Sequence, residues 1–428
     1  MMKEIKIGLM GLGTVGSGVY NILKNNREKI SKEVGAVISV KRVLERDLKK
    51  AEKVGVPREM VTQEPSEILN DGEIEIVVEV IGGVEPARTF ILESIKSGKS
   101  VVTANKELLA LHGEEIFNEV GKRRVDFFFE ASVGGGIPII KPLKETLAGN
   151  VIRKVLGIVN GTTNYILTRM TEEGYTFEEA LKEAQSKGYA ESDPSADIEG
   201  RDAASKIAIL ASIAFNSRVS SKDVFTEGIQ SITPQDINYA DELGFVIKLL
   251  AIAREEEGKI DVRVHPALLS KEHPLAGVKG VNNAIFVEGD AVGEVMFYGP
   301  GAGGFAAGSS VVGDVMDAAR NILKGSRGRV GCTCFESKPL RKMELLKARY
   351  YLLLEVLDRP GVLAAIAKEF GDAGVSLASV IQKESHGETA EVVFMTHQTE
   401  EGKVRVAREG LEKLSVVKKV RNVLRVEV

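Results

Sequence analysis

Two cysteines in 428 residues, Cys332 and Cys334, are too few and too close together for a disulfide framework. No His/Cys cluster accompanies them to build a zinc site. A reducing compartment, the cytoplasm, is the expected location. Long apolar runs are missing too: none approaches membrane-spanning length, and glycines interrupt the first apolar residues where a signal peptide needs its apolar stretch. Neither a targeting signal nor a membrane partner is expected. Charge of one sign is also absent, since 57 Lys plus Arg stand against 61 Asp plus Glu, a net charge of −4. That leaves no basic surplus for nucleic acid. Histidine is scarce, and His112, His265, His273, His386 and His397 all fall outside the motifs below. What remains, 43% hydrophobic and 28% charged, is a globular chain of two or three domains with small-molecule or protein partners.

The positive signals start early. Ile5–Met10 reads as a strand, "GLGTVG" follows, and Val19–Ile30 reads as a helix. In this dinucleotide-binding order Gly11 permits the tight turn, Gly13 lets the backbone approach a pyrophosphate, and Gly16 lets helix and strand pack closely. Thr14 and Val15 complete the loop, and phosphate is expected at the helix N-terminus. A second strand, Ala36–Leu44, ends in "ERDLKK". Glu45 suits a ribose 2′-hydroxyl and Arg46 a 2′-phosphate, so NAD and NADP both stay open. Glu45 lies further from Gly16 than the usual interval of about 20 residues, which implies a longer first helical stretch.

The strands "IEIVVEVIG" and "KSVVTANK" alternate with helical stretches, the pattern of a doubly wound, Rossmann-like parallel sheet. Lys106 follows the strand Ser100–Thr103, on the side where such sheets bind ligands. In "VDFFFEASVGGGIP", Glu130 ends an aromatic strand and three glycines leave carbonyls without ladder partners. A carboxylate with convergent carbonyls is an oxygen-ligand set for a hard cation, and an ordinary glycine turn remains the alternative.

The middle of the chain mixes helices with strands such as "KIDVRVHPALL", "NAIFVEG" and "AVGEVMFYG". Gly303 then sits in a glycine-rich turn that opens a long helix, followed by the polar, glycine-rich stretch "GSRGRVGCTCFESKPLRK", read as a linker. The last eighty or so residues read as a separate ferredoxin-like βαββαβ unit.

Within "DIEGRDAASKIAIL", Asp202 and Lys206 stand one turn apart at the start of a helix that is apolar on every face from Ile207 to Ala214. An exposed pair of this spacing contributes only about 0.2–0.5 kcal/mol. At the edge of a core it suits a group that exchanges a proton, while a helix-start salt bridge is the plainer alternative.

With "GLGTVG", "TANK", "EASVGGGIP" and "NGTTNYIL", the stretch "KGYAESDPSADIEGRDAASKIAIL" resembles homoserine dehydrogenase across nearly all of residues 1–330. "LDRPGVLAAIA" opens a unit that resembles an ACT domain. The resemblance implies a Rossmann-like domain over 1–130 completed by about 304–330, and a mixed α/β substrate-binding and dimerisation domain over 131–303. A linker over 331–347 and an ACT domain over 348–428 follow.

It also implies roles. Lys206 matches the proton-transferring lysine and Asp202 the substrate-holding aspartate. Glu191 and Asp197 match acidic substrate contacts, Thr162 a wall of the substrate site, and Lys106 a second lysine near the nicotinamide. Gly11, Gly13, Thr14, Val15, Gly16, Arg46, Lys106 and Gly303 are the expected cofactor contacts. Glu130 with the carbonyls of Val133, Gly135 and Ile137 resembles a monovalent cation site, usually sodium. The implied reaction interconverts L-homoserine and L-aspartate 4-semialdehyde with NAD or NADP. A homodimer or homotetramer is implied, with an amino-acid effector, threonine first, at the ACT domain near Asp358 and Gly361. Glu45 departs from the family, which commonly has a small or apolar residue before the Arg-Asp.

Two other readings compete. A thiolate dehydrogenase acting on aspartate semialdehyde needs a nucleophilic cysteine, and both cysteines lie in a glycine-rich stretch without a nearby histidine. A non-catalytic protein that senses dinucleotide and amino acid would have no need of Lys206, and Lys206 is present.

Overall fold

The structure is a computed structural model in which residues 2–427 are described; of 383–386 the side chains are not, so the expectation for His386 lies outside the described residues. Two units divide the chain. One comprises Met1–Val159, Ser205–Val224 and Asn282–Lys338, the other Asn160–Ala204, Phe225–Val281 and Pro339–Val428.

The first unit is built on a six-stranded parallel sheet. Its strands are β1 (Glu4–Met10), β2 (Val37–Leu44), β3 (Val61–Thr62), β4 (Ile74–Glu79), β5 (Ser100–Thr103) and β6 (Phe127–Phe128), ordered β3-β2-β1-β4-β5-β6. Successive residues Ile76, Val77 and Val78 are all buried, as strands covered on both faces require. The order reverses between β1 and β4, which opens a ligand crevice at the strands' carboxyl ends.

Helix formation starts earlier than the apolar pattern suggests. α1 (Thr14–Asn25) and α2 (Arg27–Val34) replace the single expected helix, with a break at Asn26. Consecutive asparagines favour turns and caps over helix interior, and the two helices account for the long interval between Gly16 and Glu45. Gly16 and Gly18 are poor helix formers, yet both lie inside α1. A Cβ on Gly16 would overlap the Gly11 carbonyl oxygen, and one on Gly18 would overlap that of Gly304. Close packing outweighs propensity here. Gly304 opens the helix Gly304–Lys324, whose Val311, Val315 and Ala318 join the core of β1 and α1. Three further strands, Ile152–Ile158, Asn282–Gly289 and Gly293–Pro300, pair antiparallel with one another in this unit.

The presumed linker is partly docked. Asn216 donates to the Thr333 carbonyl (3.0 Å), the Glu336 amide to the Asn216 carbonyl (2.9 Å), and the Lys338 amide to Ser217 Oγ (2.9 Å).

In the second unit the terminal segment folds as expected, strands Lys347–Leu357, Leu377–His386, Thr389–Thr396 and Val417–Glu427 with helices Val362–Asp372 and Glu401–Leu411. Leu352, Leu354, Ile366, Phe370 and Phe394 form its core. It is not separate, however. Val417–Glu427 pairs in parallel with the strand Lys259–Ser270, in register Ala267↔Arg425 to Leu269↔Glu427, so one sheet runs through both parts. Strand pairing at this sequence separation is invisible to local pattern.

Lys248, on the strand Phe245–Glu256, is buried with Nζ donating to the Val278 carbonyl (2.6 Å) and Asn164 Oδ1 (3.1 Å). Burial first, with Lys279 adding to it, lowers its pKa to about 8. A lysine depressed in this way opposes folding fully below about pH 8, and the penalty fades as pH rises toward the unfolded value. The wild-type urea midpoint, compared with Lys248→Met, is expected to rise by on the order of 1–2 kcal/mol equivalent between about pH 7.5 and about pH 9.5. A flat difference would show that no such shift exists.

Candidate active site

At the end of β1 the chain turns through Gly11 at φ +97°, and its amide donates to the Leu44 carbonyl at 3.0 Å. Gly13 caps α1, and no atom lies within 4 Å of where its Cβ would be. The space over the N-terminus of α1 therefore suits a phosphate. Gly303, at φ +114°, caps Gly304–Lys324 beside this turn, because a Cβ on Gly304 would meet the Thr14 carbonyl oxygen at 2.6 Å. Thr14 and Val15 form the first turn of α1.

A cleft of about 340 Å³ adjoins the loop, lined by Gly11, Gly13, Glu45, Arg46, Lys50 and Val80 among others. Glu45 is engaged: it accepts from the Leu12 amide (3.1 Å) and the Asp47 amide (3.0 Å), with Lys50 Nζ at 3.7 Å. Arg46 is exposed at the rim. These residues fit a dinucleotide.

Two positioning residues escaped the sequence reading here. Glu79, at the end of β4, accepts from Thr103 Oγ1 (2.7 Å) and from the Ile81 amide (2.8 Å). Burial pushes its carboxyl above the ordinary range, against the pull of those hydrogen bonds. Asn105 caps the helix Lys106–Arg123 through the Leu108 amide (3.1 Å) and donates to the Gly83 carbonyl (2.6 Å). Together they fix the turn from which Lys106 projects. A carboxylate within a fully buried strand, "IVVEV", was the available signal for Glu79.

Glu130 has a different task from the one expected. It lies in a short 3₁₀ turn after the two-residue β6. Its carboxylate accepts from the amides of Ile139 (2.5 Å), Ile140 (2.7 Å) and Lys141 (2.8 Å), which cover both oxygens. The Gly135 carbonyl accepts from Ser310 Oγ at 2.7 Å. Amide donors around a carboxylate do not fit a cation ligand set that uses this side chain, and no step is derived through a cation.

On the second unit Asn160 organises the acids. Its Oδ1 caps the helix Gly161–Glu173 through the Thr163 amide (2.9 Å), and its Nδ2 donates to Asp197 Oδ1 (2.6 Å) and Asp202 Oδ2 (2.8 Å). Two like charges drawn to one amide repel each other unless cationic density meets them. Asp197 sits on the short helix Ser195–Ile198, whose Ile198 carbonyl is held by the Ile229 amide at 2.9 Å. Thr162 is buried and donates to the Tyr189 carbonyl at 2.6 Å. Glu191 is exposed, with its backbone carbonyl held by Gln185 (3.1 Å).

Asp202 begins the helix Arg201–Ala214 and is half-buried. One turn later, in the first unit, Lys206 is only 9% exposed and its Nζ donates to the Val159 carbonyl at 2.6 Å. Ile207, Ala208, Leu210 and Ala211 beyond it are buried, so the pair does stand where burial starts.

Residues 11–130 match the family model "Homoserine dehydrogenase, NAD binding domain", 138–316 match "Homoserine dehydrogenase", and 350–416 match "ACT domain". The chain is 42% identical to homoserine dehydrogenase of Bacillus subtilis over 428 residues, covering 100% of this chain and 99% of the relative. It is 47% identical to that of Synechocystis, covering 99% of each. A solved homoserine dehydrogenase from Thiobacillus denitrificans superposes with a TM-score of 0.94 at 44% identity, covering 100% of this chain and 99% of that one. A hyperthermophilic archaeal homoserine dehydrogenase in complex with NADPH superposes with a TM-score of 0.63 at 31% identity, covering 75% of this chain and 98% of that one. A nicotinamide-dinucleotide crevice, an acid-and-lysine helix and a terminal ferredoxin-like unit therefore have one common explanation: the chain belongs to the homoserine dehydrogenase family of oxidoreductases, in its form with a C-terminal ACT domain.

Proposed function

We propose that Lys206 is the proton carrier in the interconversion of L-homoserine and L-aspartate 4-semialdehyde. The supporting observation is the burial of its ammonium against the Val159 carbonyl, one turn after Asp202. The bound nicotinamide supplies the hydride acceptor or donor. During oxidation Lys206, as the neutral amine, takes the hydroxyl proton and becomes the ammonium; during reduction that ammonium meets the developing alkoxide and returns the proton. Asp202 and Asp197, aligned by Asn160, hold the substrate with Glu191 facing its ammonium, Thr162 forms a wall, and Lys106 adjoins the nicotinamide.

The role of Asn160 is tested by Asn160→Leu, which leaves Asp197 and Asp202 without their shared donor. We expect kcat/KM for homoserine to fall about 10- to 100-fold, with KM carrying most of the change. A loss of less than about threefold would sink the positioning role.

Both dinucleotides are accepted in this reading, because Glu45 opposes a 2′-phosphate while Arg46 and Lys50 favour it. Glu45→Gln keeps an acceptor for the Leu12 amide and removes the charge. The ratio of kcat/KM for NADP⁺ over NAD⁺ should rise about tenfold, and an unchanged ratio would remove Glu45 from cofactor choice.

The ACT domain is read as a threonine site between copies of a homodimer or homotetramer in the cytoplasm. Support comes from the turn of Asp358 and Gly361, where Gly361 caps the following helix at φ +89°. Inhibition of homoserine oxidation by L-threonine, lost in Gly361→Val, is the corresponding test.

A further inference from the structure

Two donors converge on one sulfur in the first unit. Arg218 Nη2 lies 3.2 Å from Cys332 Sγ, and the Cys334 amide donates to it at 3.5 Å. Cys334 Sγ also reaches the Ser212 carbonyl at 3.4 Å, on the helix that carries Lys206. Lys144, Arg218, Phe117 and Phe129 line the same small cavity as the two cysteines. Lys144 stacks over Phe117 and Phe129 at 5.7 and 5.3 Å, and Arg218 over Phe117 at 5.4 Å. The two cations are thereby held beside the thiols. Cys332 itself is exposed.

This is the setting of a reactive thiol rather than a packed one: an accessible sulfur in electropositive surroundings with donors aimed at the thiolate. We propose that Cys332 and Cys334 form a hydroperoxide-reactive dithiol, with Cys332 as the attacking thiolate and Cys334 as the resolving thiol. Contact with the Cys334 side chain first, and then Arg218, draws the Cys332 pKa down, while the same contact and burial push Cys334 up. A dithiol serving a metal would need further ligands, and no group of three or more His, Cys, Asp or Glu side chains placed to hold one occurs among the described residues.

The chemistry balances with hydrogen peroxide as oxidant. The Cys332 sulfur attacks one peroxide oxygen, forming S–O as O–O breaks; the departing hydroxide takes a proton to become water, and a sulfenic acid remains. Cys334 Sγ then attacks that sulfur, forming S–S as S–O breaks, and its thiol proton leaves with the hydroxide as a second water. Two thiols have lost two electrons and two protons, and one peroxide has become two waters. Closing the bond takes the Cys334 thiol from the Ser212 carbonyl, so the last turn of the Arg201–Ala214 helix loses that contact.

The full-length reduced protein is treated with equimolar hydrogen peroxide and read by intact mass, with alkylation by iodoacetamide at about pH 6 as a second readout. The wild type should lose two hydrogens, restored by dithiothreitol, and Cys334→Ser should instead gain one oxygen, trapped at Cys332. Iodoacetamide should modify Cys332 at least about tenfold faster than Cys334, with Arg218→Ala narrowing the gap. An unchanged mass, a disulfide between copies on a non-reducing gel, or equal alkylation of the two thiols in unmutated protein would overturn the proposal.

Discussion

Lys206→Ala is expected to lower kcat for homoserine oxidation by about 10²- to 10⁴-fold, the range in which positioned proton transfer contributes. KM for homoserine should change far less, because Asp197 and Asp202, the acids proposed to hold the substrate, keep their shared donor in Asn160. The side chain donates to the Val159 carbonyl, and the variant is expected to fold and bind dinucleotide. Steady-state kinetics with a circular-dichroism check measures this. Activity within about threefold of wild type would place the proton carrier elsewhere.

Arg425→Met is expected to cost about 3 kcal/mol of stability, the low end of the range for removing one partner from a buried ion pair, because the Glu227 side chain is 43% exposed. Arg425 is 5% exposed on the last strand. Its Nε and Nη2 donate to Glu401 (2.8 and 2.7 Å), its Nη1 and Nη2 to Glu227 (2.5 and 3.3 Å), and its guanidinium lies 5.2 Å from the Phe225 ring centroid. Burial alone would lower its pKa, and the two carboxylates more than reverse that. Methionine keeps much of the volume and leaves Glu401 with Tyr350 at 2.8 Å.

The effect should also reach the substrate side. Glu227 precedes Gly228, where any Cβ would overlap the Ile198 carbonyl oxygen, and Ile229 holds that same carbonyl next to Asp197. A contiguous set of contacts thus links the ACT strand to Asp197, an acid proposed to hold the substrate. The guanidinium chloride midpoint at fixed protein concentration tests the stability claim, and a loss below about 1 kcal/mol would refute it. A several-fold rise in KM for homoserine is the accompanying kinetic sign.

Features with a local cause were legible in the sequence. Strand, glycine turn and helix follow from Gly11, Gly13 and Gly16, and the ACT order follows from alternating apolar periods. The placement of Lys206 follows from charges set before an all-apolar helix. Where the cause is distant, sequence reasoning went astray or fell silent. Asn160 enters the sequence reading only as part of "NGTTNYIL", and nothing local says that its amide meets Asp197 and Asp202. Glu130 beside three glycines reads as a cation ligand, because the amides of Ile139 to Lys141 come round to it only after folding. The segment around Cys334 is polar and glycine-rich, and composition does not reveal that it docks on Asn216 and Ser217.

In the proposed reaction homoserine's carbinol hydrogen leaves as hydride while Lys206 carries the hydroxyl proton. The direct test supplies wild-type protein with L-homoserine deuterated at its carbinol carbon, with NAD⁺ and NADP⁺ in separate reactions. Homoserine-dependent reduction of the dinucleotide is expected, with deuterium in the reduced nicotinamide ring and aspartate 4-semialdehyde as product. Folded protein that binds dinucleotide yet reduces neither form, or a label found in water alone, would contradict it.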